Sequence, residues 1–209
     1  MKKTFFTLLM VFSVLCTFGQ AFEGKIVYSM SYKTKNPAVS IQQLETFMGT
    51  SQDYFFKDGN YKSVTNGRLM EWQLYVNADN KLYTKMASSE KALWNDASVQ
   101  GDEVLKSEIN KGVIEILGYT CDELVLTCKS GIQKYYFNSK INVDPKLFAG
   151  HKFGNWYAFV SLSKALPLKT IIETDQFVLT STATTLLKGK QDASLFQLPA
   201  GVETEKSPY

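Results

Sequence analysis

Hydrophobic and polar residues alternate along most of this chain, and the alternation is clearest near its start. Between Phe22 and Tyr32 every second position is apolar or glycine, whereas charged residues and serines fill the other positions apart from Val27. Successive side chains of a strand point to opposite faces, so a period of two residues marks a strand with one buried face. The pattern therefore predicts a long strand over Phe22–Lys33.

Short hydrophobic runs separated by turn residues follow this strand. Asp58-Gly59 and Asn66-Gly67 are typical two-residue hairpin turns, and Lys129-Ser130-Gly131 and Asp175-Gln176 separate later pairs of runs. Connections this short join antiparallel neighbours, because a parallel partner needs a longer crossover. Three other segments favour short helices: Ala38–Met48, Lys146–Ala149 capped by Asp144, and Trp156–Leu162 capped by Asn155.

Together these elements predict a mainly β (α+β) fold. We count roughly nine to eleven strands and two or three short helices in the sequence. Strands with one apolar and one polar face suit a strongly curved, open antiparallel sheet. The chain lacks a linker rich in proline, glycine or serine, so we expect a single domain over residues 21–202 and a polar C-terminal tail over residues 203–209.

The first twenty residues have the pattern of a secretory signal peptide. Lys2 and Lys3 precede an apolar run of 14 residues, Phe5–Phe18, which is shorter than the roughly 20 residues that span a bilayer. We expect cleavage after Gly19, Gln20 or Ala21, with Gln20 preferred; the alternative is an uncleaved anchor. Lipid attachment at Cys16 is not expected, because the bulky Leu15 stands where a small residue is needed.

Composition and charge exclude several other classes of protein. The chain is 44% hydrophobic and 21% charged, and its net charge of +3 is too small to indicate a nucleic-acid partner. Cys121 and Cys128 lie on one predicted strand, roughly 23 Å apart, which is too far for a disulfide. We expect both to be small buried residues, and the sequence offers no further ligand at zinc-binding spacing.

Three short motifs resemble a known group of bacterial envelope proteins. They are Phe22–Tyr28 (FEGKIVY), Ile116–Cys121 (ILGYTC) and Asp192–Gly201 (DASLFQLPAG). The arrangement resembles uncharacterised envelope proteins related to the GLPGLI type, which are distantly similar to the lipoprotein carriers LolA and LolB. The GLPGLI box itself is absent, and Lys164–Leu168 (KALPL) stands in its place. The resemblance implies a LolA-like unclosed β-barrel around short helices, an apolar cavity beneath them, and no catalytic residues.

Residues suited to catalysis are scarce and scattered. His151 is the only histidine, and its turn-like setting predicts a solvated side chain. Asp122 and Glu123 are neighbours on one predicted strand and therefore point to opposite faces, unlike the converging carboxyls of a glycosidase. Nucleophile elbows and phosphate-binding loops are missing. We therefore expect no enzyme, no catalytic residue, no metal and no cofactor.

The many aromatic residues of the chain instead suggest an apolar ligand site. The candidate lining residues are Met30, Trp72, Trp94, Phe153, Trp156, Tyr157 and Phe159. Such side chains line small-molecule sites, but they also fill ordinary cores, and both interpretations stay open. The segment Trp156–Leu162 is the candidate lid, since it lies between Gly154 and Pro167, where hinges can form.

Two functions follow as hypotheses. The first is a non-catalytic exported protein of the Gram-negative periplasm, associated with the outer membrane, that binds a lipid, an acyl chain or a lipidated protein in a cavity. The alternative is an interaction or structural subunit of an envelope protein complex, with a filled core and an exposed apolar patch. Neither requires nucleic acid, nor a transmembrane anchor after signal cleavage.

Overall fold

A computed structural model describes residues 21–208, and the expected signal peptide lies outside the described residues. The described chain contains two α-helices, three short 3₁₀ helices and twelve strands in one sheet. The strands are β1 (Gly24–Thr34), β2 (Ser51–Lys57), β3 (Asn60–Thr65), β4 (Met70–Val76), β5 (Lys81–Met86), β6 (Ala92–Asp96), β7 (Val104–Ile116), β8 (Tyr119–Cys128), β9 (Gly131–Asn142), β10 (Ala165–Glu173), β11 (Phe177–Lys188) and β12 (Thr204–Lys206). The α-helices are α1 (Ile41–Met48) and α2 (Trp156–Ser163), and the 3₁₀ helices are Pro145–Phe148, Phe153–Asn155 and Ala193–Phe196.

The sheet has the order β12-β6-β5-β4-β3-β2-β1-β11-β10-β9-β8-β7 and is not closed. Every neighbouring pair is antiparallel except β12 and β6, which are parallel. The predicted open antiparallel architecture is confirmed. The expected polar tail contributes the additional short strand β12, which pairs Thr204 with Ala92 and Lys206 with Trp94.

Strong curvature brings distant strands to one helix. Tyr61 on β3 contacts Trp156 of α2, and Tyr135 on β9 contacts Phe159 of the same helix. These two strands are five positions apart in the sheet, about 24 Å in a flat arrangement. In the structure, three consecutive ring contacts connect them through α2. The centroid distances are 5.6 Å from Tyr61 to Trp156, 5.9 Å from Trp156 to Phe159 and 4.4 Å from Phe159 to Tyr135. The sheet therefore wraps around α2 and places it against the concave face.

The local signals in the sequence account for most element boundaries. The alternation predicted for the first strand is confirmed, since its apolar positions are buried along β1. At α1, Ser40 accepts a hydrogen bond from the Gln43 amide, and Gln43 Oε1 accepts one from the Ser40 amide, so this capping box starts the helix three residues later than predicted. Asp144 caps the Pro145–Phe148 helix as predicted, by accepting from the Lys146 amide.

Buried hydrophobic residues form three clusters. The main cluster fills the concave face of the sheet beneath α2. A small cluster of Met30, Tyr32 and Leu44 lies between α1 and the far end of β1. The third cluster is Leu74, Tyr83 and Phe196, where the Ala193–Phe196 helix covers the opposite face of β4 and β5.

Candidate functional site

The seven candidate lining residues divide among the three clusters. Four of them, Phe153, Trp156, Tyr157 and Phe159, pack together in the main cluster. Met30 lies in the small cluster under α1, and Trp72 and Trp94 belong to the third cluster. The structure thus brings together only the four residues on α2 and in the turn before it.

The inner side of α2 completes a set of contacting rings, which we call the α2 aromatic cluster. Phe159 is fully buried and stacks on Tyr135 with a centroid distance of 4.4 Å. Trp156 contacts Tyr61, Phe148 and Phe159 at 5.6, 6.1 and 5.9 Å. The cluster consists of Tyr54, Tyr61, Tyr75, Tyr135, Phe148, His151, Trp156 and Phe159.

His151 is a member of this cluster, so the prediction of a solvated histidine is wrong. Only 1% of its surface is exposed, and its ring lies 4.2 Å from that of Tyr75. Its Nε2 lies 2.7 Å from the Tyr61 hydroxyl oxygen. Burial lowers the pKa of His151 to about 3, so the imidazole is neutral at physiological pH. The local sequence could not signal this, because the tyrosines that bury it belong to distant strands.

Three polar atoms near α2 lack partners among the described residues. They are Ser63 Oγ, His151 Nδ1 and Trp156 Nε1, all buried. Ser63 lies beside the Tyr54 hydroxyl without a hydrogen bond of good geometry. A buried polar group without a partner costs about 1–3 kcal/mol. The α2 aromatic cluster is therefore an apolar interior that contains unused hydrogen-bonding capacity.

Both ends of α2 have left-handed backbone. Gly154, Asn155 and Lys164 have φ values of 61°, 60° and 52°. For residues other than glycine this conformation costs about 1–2 kcal/mol. Asn155 does not cap the helix, contrary to the prediction, because its side chain turns inward and its Nδ2 lies 3.3 Å from the Cys128 sulfur and 3.4 Å from Gln133 Oε1. Tertiary contacts, rather than favourable ends, hold α2 in place.

Side chains fill the interior beneath α2. One concave site of about 120 Å³ borders α2, and Gln100, Lys152, Asn155, Tyr157 and Ala158 line it. A site of about 10 Å³ lies at the margin beside Phe148, and a wide polar site of about 550 Å³ lies on the surface along residues 100–103 and 129–130. None of these three lies inside the α2 aromatic cluster. In this conformation the rings of α2 themselves occupy the space that a ligand would need.

Cysteines and carboxylates near β8 have structural partners. Cys121 and Cys128 are buried free thiols, in agreement with the sequence, and burial raises the pKa of both. Burial alone would raise the pKa of Glu123, but hydrogen bonds from Asn110 and Tyr136 and the charge of Lys134 hold it below its usual value. Within residues 21–208 no group of three histidine, cysteine or acidic residues has the geometry of a metal site.

Strand β7 forms a long exposed edge of the sheet. It contains 13 residues and pairs only with β8. Leu105, Ile109 and Val113 are 60%, 41% and 45% exposed along it. The pairing register shifts between Asn110 and Ile114, so a bulge interrupts the strand. A long strand edge with unpaired backbone groups is a surface on which another strand can add.

None of the helices in the described part of the chain has the length and apolar character needed to cross a membrane. No protein-family model matches the chain, and no curated protein is similar enough to match it. The relation to GLPGLI-type proteins stays a prediction.

Several solved structures show a distant likeness. The structure of PNGF-II matches 90% of this chain with 14% identity and a TM-score of 0.48, and this chain spans 32% of the length of that one. The LolA superfamily protein NE2245 from Nitrosomonas europaea matches over 86% of this chain and 92% of its own, with 10% identity and a TM-score of 0.39. LprF from Mycobacterium bovis matches over 78% and 85%, with 13% identity and a TM-score of 0.30.

Proposed function

We propose that this chain is a non-catalytic, exported cell-envelope protein that binds the apolar chain of a lipid or a lipidated protein beneath α2. One observation carries the proposal: the concave face is filled by the rings of a short helix whose two ends are both in unfavourable conformations. In this account Trp156 and Phe159 are the occupants of the site in its closed state. An acyl chain takes their place when α2 moves away from the sheet.

The free energies involved permit this exchange for long chains. Exposing Trp156, Phe159 and Val160 costs about 1.5–3 kcal/mol for each side chain. Burial of each methylene of a ligand contributes about 0.8 kcal/mol, so a sixteen-carbon chain supplies roughly 12 kcal/mol. Release of left-handed backbone at Asn155 and Lys164 contributes about 1–2 kcal/mol per residue. We therefore expect sixteen-carbon chains to bind and eight-carbon chains to fail.

The start of the domain suits an exported protein. With cleavage after Gln20, the mature chain would begin one residue before Phe22, which is buried and donates its amide to the Asn142 carbonyl. The remaining chain has 21 basic and 20 acidic residues. Near-neutral charge gives no steering toward nucleic acid or anionic lipid. We propose the Gram-negative periplasm as its location, with residues 21–202 as a single LolA-like domain.

A chain-length series tests the proposal. The fluorescent hydrocarbon pyrenyldodecane serves as the probe, and methyl esters of eight, twelve and sixteen carbons compete with it. The account predicts probe binding and displacement that strengthens steeply between eight and sixteen carbons. Mass spectrometry of gently extracted protein should also reveal a co-purified lipid. Absence of probe binding, together with lipid-free protein, would show that the proposal is wrong.

The exposed edge of β7 favours a second candidate, an interaction subunit of an envelope complex. An edge strand of thirteen residues, ten of them exposed and three of those large and apolar, is long enough to pair with a strand of a partner. This candidate predicts a partner that co-purifies at fixed stoichiometry. Ile109→Lys should abolish that association, whereas Lys206→Ala at the opposite edge should leave it unchanged.

A further inference from the structure

We infer that the exposed edge of β7 binds the β7 edge of a second copy of this chain, antiparallel and around a two-fold axis at Ser107. The two sheets then continue into each other across the axis. The inference takes up the edge that favours an interaction subunit and names its partner. It does not depend on a ligand beneath α2, so either proposal can fail without the other.

The first step is the part of β7 that can accept another strand. Lys106–Asn110 pairs with β8 without interruption. Register shifts flank this stretch, one between Val104 and Lys106 and the other between Asn110 and Ile114. A bulge bends an edge strand and disrupts its ladder, so regular pairing with an added strand is limited to the first half of β7.

The second step is the direction of the backbone groups in this stretch. Cys128 and Gly131 close the two-residue turn between β8 and β9, so this pair exchanges backbone hydrogen bonds. Alternate residues of β8 therefore direct their N–H and C=O groups toward β9, and the residues between them, such as Val125, direct theirs toward β7. Glu108 lies opposite Val125 and bonds to β8. Its neighbour Ser107 consequently directs its backbone groups to the open edge.

The third step is the register, which charge selects. With the axis at Ser107, Lys106 lies opposite Glu108 of the second copy. Leu105 then lies opposite Ile109, and both are large, apolar and exposed. Lys106 and Glu108 are 63% and 53% exposed and form a 2.6 Å ion pair within one chain. Two such pairs meet at the axis with opposite charges facing each other, at positions without backbone hydrogen bonds, where side chains are closest.

Neighbouring registers are less favourable. An axis at Glu108 places this carboxylate opposite its own copy, and an axis at Lys106 does the same for the ammonium group. Like charges directly opposite each other are destabilising. An axis at Ile109 carries the pairing past Asn110 into the second register shift. The axis at Ser107 therefore pairs opposite charges and apolar residues while it uses the regular stretch of β7.

This pairing is complete with two copies. It occupies β7 of both chains, and the strand at the opposite edge of the sheet, β12, has only three residues. A two-fold contact between identical edges gives a dimer rather than a filament. A single pair of strands buries less surface than the roughly 1,600 Å² of a standard interface. We therefore expect a dimer of micromolar affinity that dissociates on dilution.

Sedimentation velocity of the chain from Ala21 onward, between about 1 and 300 μM, tests the inference. We expect monomers at the lowest concentration and dimers at the highest. Glu108→Lys places lysines opposite each other and should weaken dimerisation about tenfold, and Lys106→Glu should do the same with carboxylates. An equimolar mixture of these two variants should dimerise again, because each opposing pair then has opposite charges.

A matched control distinguishes the edge from other surface charges. Glu173→Lys breaks another exposed ion pair of 2.6 Å, with Lys35, on strands in the interior of the sheet order. It should dimerise like the unaltered chain. Thermal unfolding of each variant confirms that it is folded.

Cross-linking locates the axis. Ser107→Cys places the two new thiols on directly opposite residues, whose Cα atoms are about 5.5 Å apart and within disulfide range. Ile109→Cys lies on the same edge, but its two copies are four residues out of register, about 13 Å apart. We expect mild oxidation to link Ser107→Cys rapidly and Ile109→Cys little. Cys121 and Cys128 are buried and do not compete.

The outcomes are distinguishable. If the pure chain stays monomeric over the whole range, the inference is wrong, and acyl binding beneath α2 is unaffected. If it dimerises but the mixed variants do not restore the dimer, or Ile109→Cys links as fast as Ser107→Cys, another surface or register forms the dimer and the inference is also wrong. If a different protein binds β7 while the pure chain stays monomeric, the second candidate function stands and this partner is wrong.

Discussion

The two α-helices of this protein have the same length, eight residues, yet they are held in opposite ways. Helix α1 begins with a complete capping box and ends at Gly49, and only Leu44 is buried beneath it. Helix α2 has no side-chain cap, has left-handed residues other than glycine at both ends, and buries Phe159, Val160 and Ser163. The first helix is stable locally and covers little. The second depends on the aromatic side chains that it covers, and in the proposed function it is the element that a ligand displaces.

The largest expected change in the free energy of unfolding comes from truncating the side chains that are buried under the two helices. Phe159→Ala should lower the free energy of unfolding by about 4 kcal/mol, because it removes the ring that stacks on Tyr135 in a fully buried site. Leu44→Ala should cost about 2 kcal/mol, since its cluster is small and near the surface. Urea unfolding measures both values. An equal or larger loss at Leu44 would contradict the contrast between the helices.

The next effect is the response to pH, which distinguishes the two regions because a buried histidine lies only under α2. The pKa of His151 is about 3 in the folded protein and about 6.5 when unfolded, so the unfolded chain binds more protons between these values. Stability should therefore fall as the pH drops below 6.5, by about 2 kcal/mol between pH 6.5 and 5. His151→Phe should be nearly flat over that interval. An equal slope in both proteins would show that His151 is not the cause.

The smallest expected changes in stability come from substitutions at the C-terminal ends of the helices, and they have opposite signs at α1 and α2. Lys164→Gly should stabilise the protein by about 1 kcal/mol, because glycine adopts the left-handed conformation without strain. Gly49→Ala should destabilise it, since an added Cβ would lie 2.6 Å from Asn66 Oδ1. Thermal unfolding compares the two.

Lys164→Gly also bears on function, because a more stable α2 should resist displacement. We expect its affinity for pyrenyldodecane to fall about fivefold, the equivalent of 1 kcal/mol. Leu117→Gly is the matched control, since Leu117 has a φ of 51° in the turn between β7 and β8 and does not belong to the α2 aromatic cluster. It should stabilise the fold and leave probe binding unchanged. A similar loss of affinity in both variants would remove the support for a moving α2.

Much of the fold could be predicted because its determinants are local. Alternation identified β1, and the Asp58-Gly59 turn identified the β2–β3 hairpin. The alternation predicts which residues of a strand share a face, but not which element of the fold covers that face. Trp72 and Leu74 share a face of β4, and the distant Ala193–Phe196 helix covers this face rather than α2. Strand β12 is too short and polar to give a pattern.

The site was harder to predict because its contacts join residues that are far apart in the sequence. The residues of α2 were found because they are adjacent in sequence, between recognisable hinge positions. His151 was misjudged because Tyr61 and Tyr75, which bury it, lie on strands that only the curvature of the sheet brings near. The pattern of residues adjacent in the sequence holds no information about contacts between such distant strands.

Hydrogen exchange of α2 with and without methyl hexadecanoate tests the central claim most directly. The account predicts that the ligand makes the amides of Trp156–Ser163 exchange faster, while those of Ile41–Met48 in α1 stay unchanged. If the ligand leaves the α2 amides unchanged or protects them, the helix does not leave the sheet and the proposed mode of binding is wrong.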